Sequence, residues 1–441
     1  MYKKLILITI IIIIGILSMF LLFNVKSNTY NVSKNNSFAN KPSLIDGMIP
    51  VIYDGNNWVV ADNNNIDYNW YNYDNGKWAN AIIVNDYSKY VNFGVGSIVN
   101  NEDIVAFYVW IPRYKYRVFN INKENGYDYY NALENGIDIV FEEGTNTTGN
   151  IKCNYYYKKK LFNNNYEVCS GNNGGYYTHP AFTFGDIELE GIWVGKFETT
   201  GSADNPTILP SDGALMNLSI YNQFNTSKLL GTFLNGSNDA HMMKNIEWGA
   251  VAYLTHSKYG RCISGCQEVG FNNCTSFSDT GSFLTGTSCL EDGSIHYYDS
   301  NLGVLNSNTG NITGIYDMNG GASENVMGNI SKSKNKYVFN EDFHDDFSIS
   351  WYASNEKYLD TYGYNEDVLT DKSVSNSRLG DAMGETRGWY EDSNWAANVD
   401  IPWIERGGNF DMIENAGIFA YGGNMGYNIR MNGFRSVIVS G

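Results

Sequence analysis

The sequence predicts an α+β domain, loop-rich with short strands and few helices, preceded by one N-terminal transmembrane helix. Three observations lead there. Short apolar runs alternate with Asn, Gly and Asp turns along most of the chain. Ile246–Thr255, IEWGAVAYLT, is the best helical spacing after the N-terminus. Leu5–Phe23 is an uncharged run of 19 residues, long enough at ~1.5 Å per residue to reach ~28 Å across a hydrocarbon core.

In chain order, Lys3 and Lys4 precede the apolar run and Asn24, Val25 and Lys26 follow it. No small-x-small cleavage site intervenes, so residues 1–26 read as an uncleaved signal-anchor, with the positive flank inside and 27–441 outside. The expected location is the cell membrane, single-pass, with the C-terminal domain extracellular. Residues 27–44 read as a polar stalk. Residues 45–103 carry the turn pairs Asp54-Gly55 and Asn75-Gly76. They form either a small β-rich N-terminal lobe or an extension of the main sheet. Residues 104–441 form the main domain. Its first strand, IVAFYVWIPRYKYRVF, spans Ile104 to Phe119 and breaks at Pro112. An Asn/Gly/Tyr-rich insertion fills about 120–178, and GIWVGKFETT at 191–200 is a further strand.

Six cysteines on the outer side, Cys153, Cys169, Cys262, Cys266, Cys274 and Cys289, read as disulfides. The expected pairing is Cys153 with Cys169 and the other four among themselves. A zinc site is the weaker reading, because no CxxC occurs. The formal net charge of −17 repels phosphate backbones, so no nucleic acid is expected as a partner.

Four segments occur in the order found in a known family. They are HPAFTFGDIELEGIWVGKFETT (179–200), MMKNIEWGAVAYLTHSKYG (242–260), GNITGIYDMNGGASENVMG (310–328) and WIERGGNFDMIENAGIFAYGGNMGYNIRMNGFRSV (403–437). They resemble, in turn, a "GKYEVT" strand, an "LPTEAEWEYAA" helix, an "NxxGLYDMxGNVWEW" loop and an Arg-Gly-Gly-Ser-Trp start with a Gly-Phe-Arg close. The chain thus resembles the formylglycine-generating-enzyme/sulfatase-modifying-factor family, which implies a C-type-lectin-like fold. Within it, Arg406 and Arg435 are expected as structural pins, and Gly407, Gly408 and Gly433 as sites of unusual backbone.

The family's oxidase chemistry needs a copper-binding cysteine pair between Gly408 and about Ile418. That stretch, NFDMIENAGI, has no Cys, and Met412 stands near the first position. No copper and no catalytic residues are therefore expected: the chain reads as a non-catalytic member. His179, His241, His256, His296 and His344 are scattered without ligand spacing. The resemblance also implies a structural calcium site at Asn319, Gly320, Ala322 and Glu324. The alternative is a tight turn in which Glu324 pairs with an arginine.

On this fold a rigid frame displays a loop surface near the C-terminus. The expected ligand-binding residues are Trp403, Asn409, Phe410, Asp411, Tyr421, Asn424, Tyr427, Asn428 and Asn432, a mixture of aromatics and amides like that of a paratope. Trp389 and Trp395 would add stacking faces beside Trp403. The expected function is a membrane-anchored adhesin or receptor-like protein. Its partner would be a protein or carbohydrate ligand on another surface. Alternatives are a structural envelope or pilus-like component, or an enzyme with an unrecognised site.

Overall fold

Nine consecutive residues from Ile104 to Pro112 are buried, as suits a strand covered on both faces. The computed structural model describes residues 41–118, 130–151, 156–161, 164–169, 175–274, 283–289, 294–333, 336–337, 357–362, 379–394, 397, 401–428 and 430–441. The expected anchor therefore lies outside the described residues, as do Cys153, Trp395 and all of the stalk but its last few residues. Among the described residues, no helix is long and apolar enough to cross a membrane.

The elements that position the site are, in chain order, β1 (Met48–Tyr53), β2 (Trp58–Val60), β3 (Asn80–Val84), β4 (Ile104–Pro112), β5 (Gly191–Gly195), α1 (Ile220–Leu229), β6 (Asn238–Met242), α2 (Asn245–Thr255), β7 (Ser323–Ser333), β8 (Trp403–Gly407), β9 (Gly417–Asn424), β10 (Asn432–Phe434) and β11 (Ser436–Ser440). Strands dominate and helices are few, in line with the expected loop-rich α+β class.

Seven strands form one antiparallel sheet in the order β6-β11-β5-β4-β3-β1-β2. β3 pairs directly with β4, Ile82 opposite Phe107. Residues 45–103 thus extend the main sheet and are not a separate lobe; the reason is that the runs flanking both turn pairs lack a core of their own and bury against β4. The strand expected over 104–119 breaks at Arg113 between Ile104–Pro112 and Tyr114–Arg117.

The second sheet is built on β7. It pairs with β8 antiparallel, β8 pairs with β9, and β10 joins β7 in parallel. α2 touches both β4 and β7, and every one of its residues is buried. The chain passes from the second sheet to the first at one residue: β10 ends at Phe434, β11 starts at Ser436, and Arg435 lies between them.

Among the described residues there are two disulfides, Cys262–Cys266 and Cys274–Cys289, so these four cysteines do pair among themselves. The longer ring restrains the unfolded chain more, by about 3 kcal/mol against about 2 for the shorter one on loop entropy alone.

Candidate binding site at the closing strands

Alternation along β8 sorts its side chains. Ile404 and Arg406 turn toward α2, where the Arg406 guanidinium lies 5.6 Å from the Trp248 ring. Trp403 and Glu405 turn the other way. Arg406 is fully buried, and its Nη2 donates to the carbonyl oxygen of Ala382 at 3.0 Å. Burial lowers its pKa to about 10. Gly407 and Gly408 follow at φ +81° and +66°, and a Cβ on Gly408 would meet the Ala416 Cα at 2.8 Å. These two positions require glycine.

Arg435 is held on all sides. Its Nη1 and Nη2 donate to the Gly195 and Tyr316 carbonyls, each at 2.9 Å. Nε donates to Glu324 Oε2 at 3.0 Å, and Nη2 also bonds Glu324 Oε1. Glu198 and Asp317 complete a cluster of three buried carboxyls around this guanidinium. Burial raises the Asp317 pKa to about 6 and that of Glu198 well above the carboxylate range. A Cβ on Gly433 would lie 2.6 Å from Glu198 Oε2, so this glycine is needed for close approach and not for its φ.

This arrangement bears on the calcium set. Asn319 donates through Nδ2 to the Val269 carbonyl at 2.7 Å, and its own carbonyl accepts from the Asn272 amide at 2.8 Å. The Ala322 amide donates to Glu198 at 3.1 Å. Glu324, the one carboxylate of the set, gives both oxygens to Arg435. A divalent ion there would face a guanidinium, so Asn319, Gly320, Ala322 and Glu324 do not fit calcium as placed. The alternative, Glu324 paired with an arginine, describes the geometry. Chelating calcium from the full chain is expected to leave its melting temperature unchanged within about 1 °C. A fall of several degrees would show that the loop binds the ion.

The nine expected ligand residues separate into two groups. Trp403, Tyr421, Asn424 and Asn432 are buried. Trp403 packs with Ile220, Phe224, Met242 and Phe434. Tyr421 lies beside Arg406, ring to guanidinium 5.7 Å. Asn424 and Asn432 donate to Asn325 Oδ1 at 2.7 and 2.9 Å and to Glu405 Oε2 at 2.9 and 2.8 Å. Asn325 in turn donates to Gln223 at 2.9 Å. These four residues are supports, as their partners on β7 and β8 require. Trp389 is likewise buried, and so offers no stacking face.

Five of the nine reach the surface. Asn409 and Phe410 are half-buried, while Asp411, Tyr427 and Asn428 are exposed. They sit on two loops fastened side by side to β7 and the turn before it. The Phe410 amide donates to the Gly321 carbonyl, and the Ser323 amide donates to the Met431 carbonyl, each at 3.1 Å. Beside the loops is a cleft lined by Ser323, Ser393, Glu405, Gly408, Met412, Ala420, Tyr421 and Gly422. It encloses about 10 Å³, room for about one water and far below the ~300 Å³ of a small-molecule site. Burial raises the Glu405 pKa. Glu405 and the two serines were missed in the sequence; period-two alternation from Ile404 would have placed Glu405 on this face.

A larger groove of about 430 Å³ lies elsewhere, lined by Thr147, Asn150, Tyr177, His179, Glu188 and Leu379 among others. Arg113 is pinned beneath it between Glu142 at 3.1 Å and Glu188 at 2.7 Å. Burial lowers the His179 pKa to about 3, so this ring is neutral and unsuited to proton transfer near pH 7. Comparison with protein-family models and with curated protein sequences gave no match.

Proposed function

We propose that the chain is a membrane-anchored, outward-facing binding protein of the adhesin or receptor type. Its ligand surface is the pair of loops carrying Asn409, Phe410, Asp411, Tyr427 and Asn428, and its partner is a protein or carbohydrate displayed on another surface. The observation that supports this most is the contrast between frame and loops. Buried Arg406 and Arg435 fix the strands, while the side chains that reach the surface between them lie beside a cleft of about 10 Å³, too small for a free small molecule. A rigid frame lowers the ordering cost of association, and exposed Tyr and Asn supply area and adaptable hydrogen bonds. The resemblance to the sulfatase-modifying-factor family points the same way, as does its missing cysteine pair. The single-pass anchor and extracellular location belong to this proposal.

The test is a binding screen of the full chain on glycan and peptide arrays, followed by two sets of substitutions. Tyr427→Ala with Asn428→Ala is expected to weaken the ligand found by about thirtyfold, the effect of losing an aromatic hot spot of about 2 kcal/mol. Its melting temperature is expected to stay within about 1 °C of wild type, as for other exposed positions. Asn424→Ala is expected to do the reverse in the first instance, destabilising the fold by about 1–3 kcal/mol because Glu405 and Asn325 lose a buried donor. Undiminished binding by the Tyr427/Asn428 variant would refute the assignment of this surface.

A second reading rests on the 430 Å³ groove, which lies in the size range of small-molecule sites. It carries the alternative of an enzyme on the same fold.

A further inference from the structure

The Cys262–Cys266 pair sits in an environment unlike that of Cys274–Cys289. It joins residues four apart, against fifteen for Cys274–Cys289. The turn that holds it begins at His256, the residue that caps α2. The Arg261 amide donates to the Thr255 carbonyl at 2.7 Å and the Cys262 amide to the Ser257 carbonyl at 3.0 Å. This fold-back brings a ring nitrogen of His256 and the two sulfurs within 4.8 Å of one another.

The imidazole is oriented as a metal-ligating histidine is. Its Nε2 donates to the Ala132 and Leu133 carbonyls at 3.0 and 3.1 Å. That fixes the tautomer and leaves the lone pair on Nδ1, the arrangement that outer partners impose on metal ligands. Nδ1 accepts from the Tyr390 hydroxyl at 3.2 Å. A second observation is independent of the cysteines. Tyr390 and Glu391 stand at φ +56° and +66°, a conformation that bulky residues avoid unless the surroundings impose it. The strained turn brings the Tyr390 hydroxyl to Nδ1. His256 and Cys262 are buried, Cys266 is half-exposed, and Ile263, Ser264 and Gly265 between the cysteines are exposed. A Cβ on Gly265 would meet nothing within 4 Å, so space is open beside the middle of this loop.

We propose that the Cys262–Cys266 disulfide guards a soft-metal site: once it is reduced, the two sulfurs and His256 Nδ1 bind one d¹⁰ cation, Zn²⁺ or Cu⁺. Reduction adds two electrons and two protons to the S–S bond and yields two thiols. With a phosphine as reductant, the phosphorus takes up the oxygen of one water to become phosphine oxide, and that water supplies both protons. On binding, each thiol releases its proton to solvent and donates a thiolate pair, and Nδ1 donates its own in place of accepting from Tyr390. Thiolate with imidazole is the donor set that selects such cations. Metal–ligand bonds of about 2.0–2.3 Å put tetrahedral ligand atoms roughly 3.3–3.8 Å apart, a spacing this grouping reaches by a small opening of the loop.

The experiment uses the full chain in detergent, with Zn²⁺ and Cu⁺ each titrated against a chromophoric chelator. The phosphine-reduced protein is expected to bind one equivalent more than the oxidised protein. Reduced Cys266→Ser is expected to lose that equivalent, and reduced Cys274→Ser/Cys289→Ser to keep it. His256→Gln is expected to bind at least tenfold more weakly, and Co²⁺ in the wild type to show thiolate charge-transfer absorption that Cys266→Ser lacks. Equal uptake by oxidised and reduced wild type would overturn the site. So would an extra equivalent that survives in Cys266→Ser, since the ion would then sit on other cysteines. Uptake of one cation but not the other supports the site and selects between the two.

Discussion

Replacing Arg435 with methionine is expected to destabilise the protein by about 3–5 kcal/mol, the range for breaking a buried pair from one side. The guanidinium is fully buried and neutralises Glu324, which is 1% exposed. It also binds carbonyls from Gly195, on the first sheet, and Tyr316, at the approach to the second. Methionine fills the stem's volume, yet it strands Glu324 beside Glu198 and Asp317. Those acids then keep protons to higher pH in the folded state. The unfolded chain releases them near pH 4–4.5. Across the window above that value the folded state binds more protons than the unfolded, so stability falls as pH rises. The loss in Arg435→Met is thus expected to be smaller at pH 5 than at pH 8. Denaturant unfolding of wild type, Arg435→Met, Glu324→Met and the double variant measures this. Removing both partners is expected to recover roughly 2 kcal/mol of the single-variant loss, because no charge is left unpaired. Single losses that simply add in the double variant would show that the pair does not fasten the two sheets.

Parts of this architecture are legible in the sequence. Ile246–Thr255 was readable because its spacing is helical, and the helix observed begins one residue earlier at Asn245. Pro112 marked the end of β4 because it cannot donate within a sheet. Arg406 and Arg435 were readable as pins because they lie in the glycine-bearing segments Arg406-Gly407-Gly408 and Gly433-Phe434-Arg435, and both prove fully buried. Other parts were not legible, for physical reasons. α1 has the sequence IYNQFNTSKL, whose Asn, Thr and Ser have poor helix propensity. It forms because Ser219 caps it, accepting from the Asn222 amide at 3.3 Å, and because Phe224 is buried. Asn424 and Asn432 look like paratope amides by type. Only pairings across more than 80 residues, to Asn325 on β7, turn them inward. The parallel union of β10 with β7 is non-local in the same way. Nothing in the local pattern near 432 announces a partner at 323, so the division of nine candidates into supports and surface had to come from tertiary structure.

Raising the pH from 6.5 to 9 is expected to remove about 3 kcal/mol of stability through His241 alone. This ring lies on β6, fully buried and stacked on Phe184 at 4.6 Å. Burial by itself would disfavour the charged ring. The Glu247 carboxylate, 3.0 Å from Nε2, and Asp239, 3.6 Å from Nδ1, overcome that and hold the pKa at about 9. Lys357 and Tyr358 bind the same Asp239, and Lys244 pairs with Asp360 beside the start of α2. The unfolded ring titrates near 6.5. Between the two values the folded state holds a proton that the unfolded chain has released, so raising the pH favours unfolding. The stabilisation is complete below about 6.5 and gone above about 9. For a chain of this size the loss amounts to a fall in melting temperature of about 3 °C, taking ~2 cal/mol/K of unfolding entropy per residue. His241→Phe keeps the stack on Phe184 but cannot titrate. It is expected to start lower, with Glu247 keeping only the Lys244 amide as a partner, and to lose this slope between pH 6.5 and 9. Glu247→Gln is expected to flatten the slope as well, since it removes the largest attraction for the proton. If wild type and His241→Phe lose stability in parallel over that window, the charge on this ring is not what ties β6 to the start of α2.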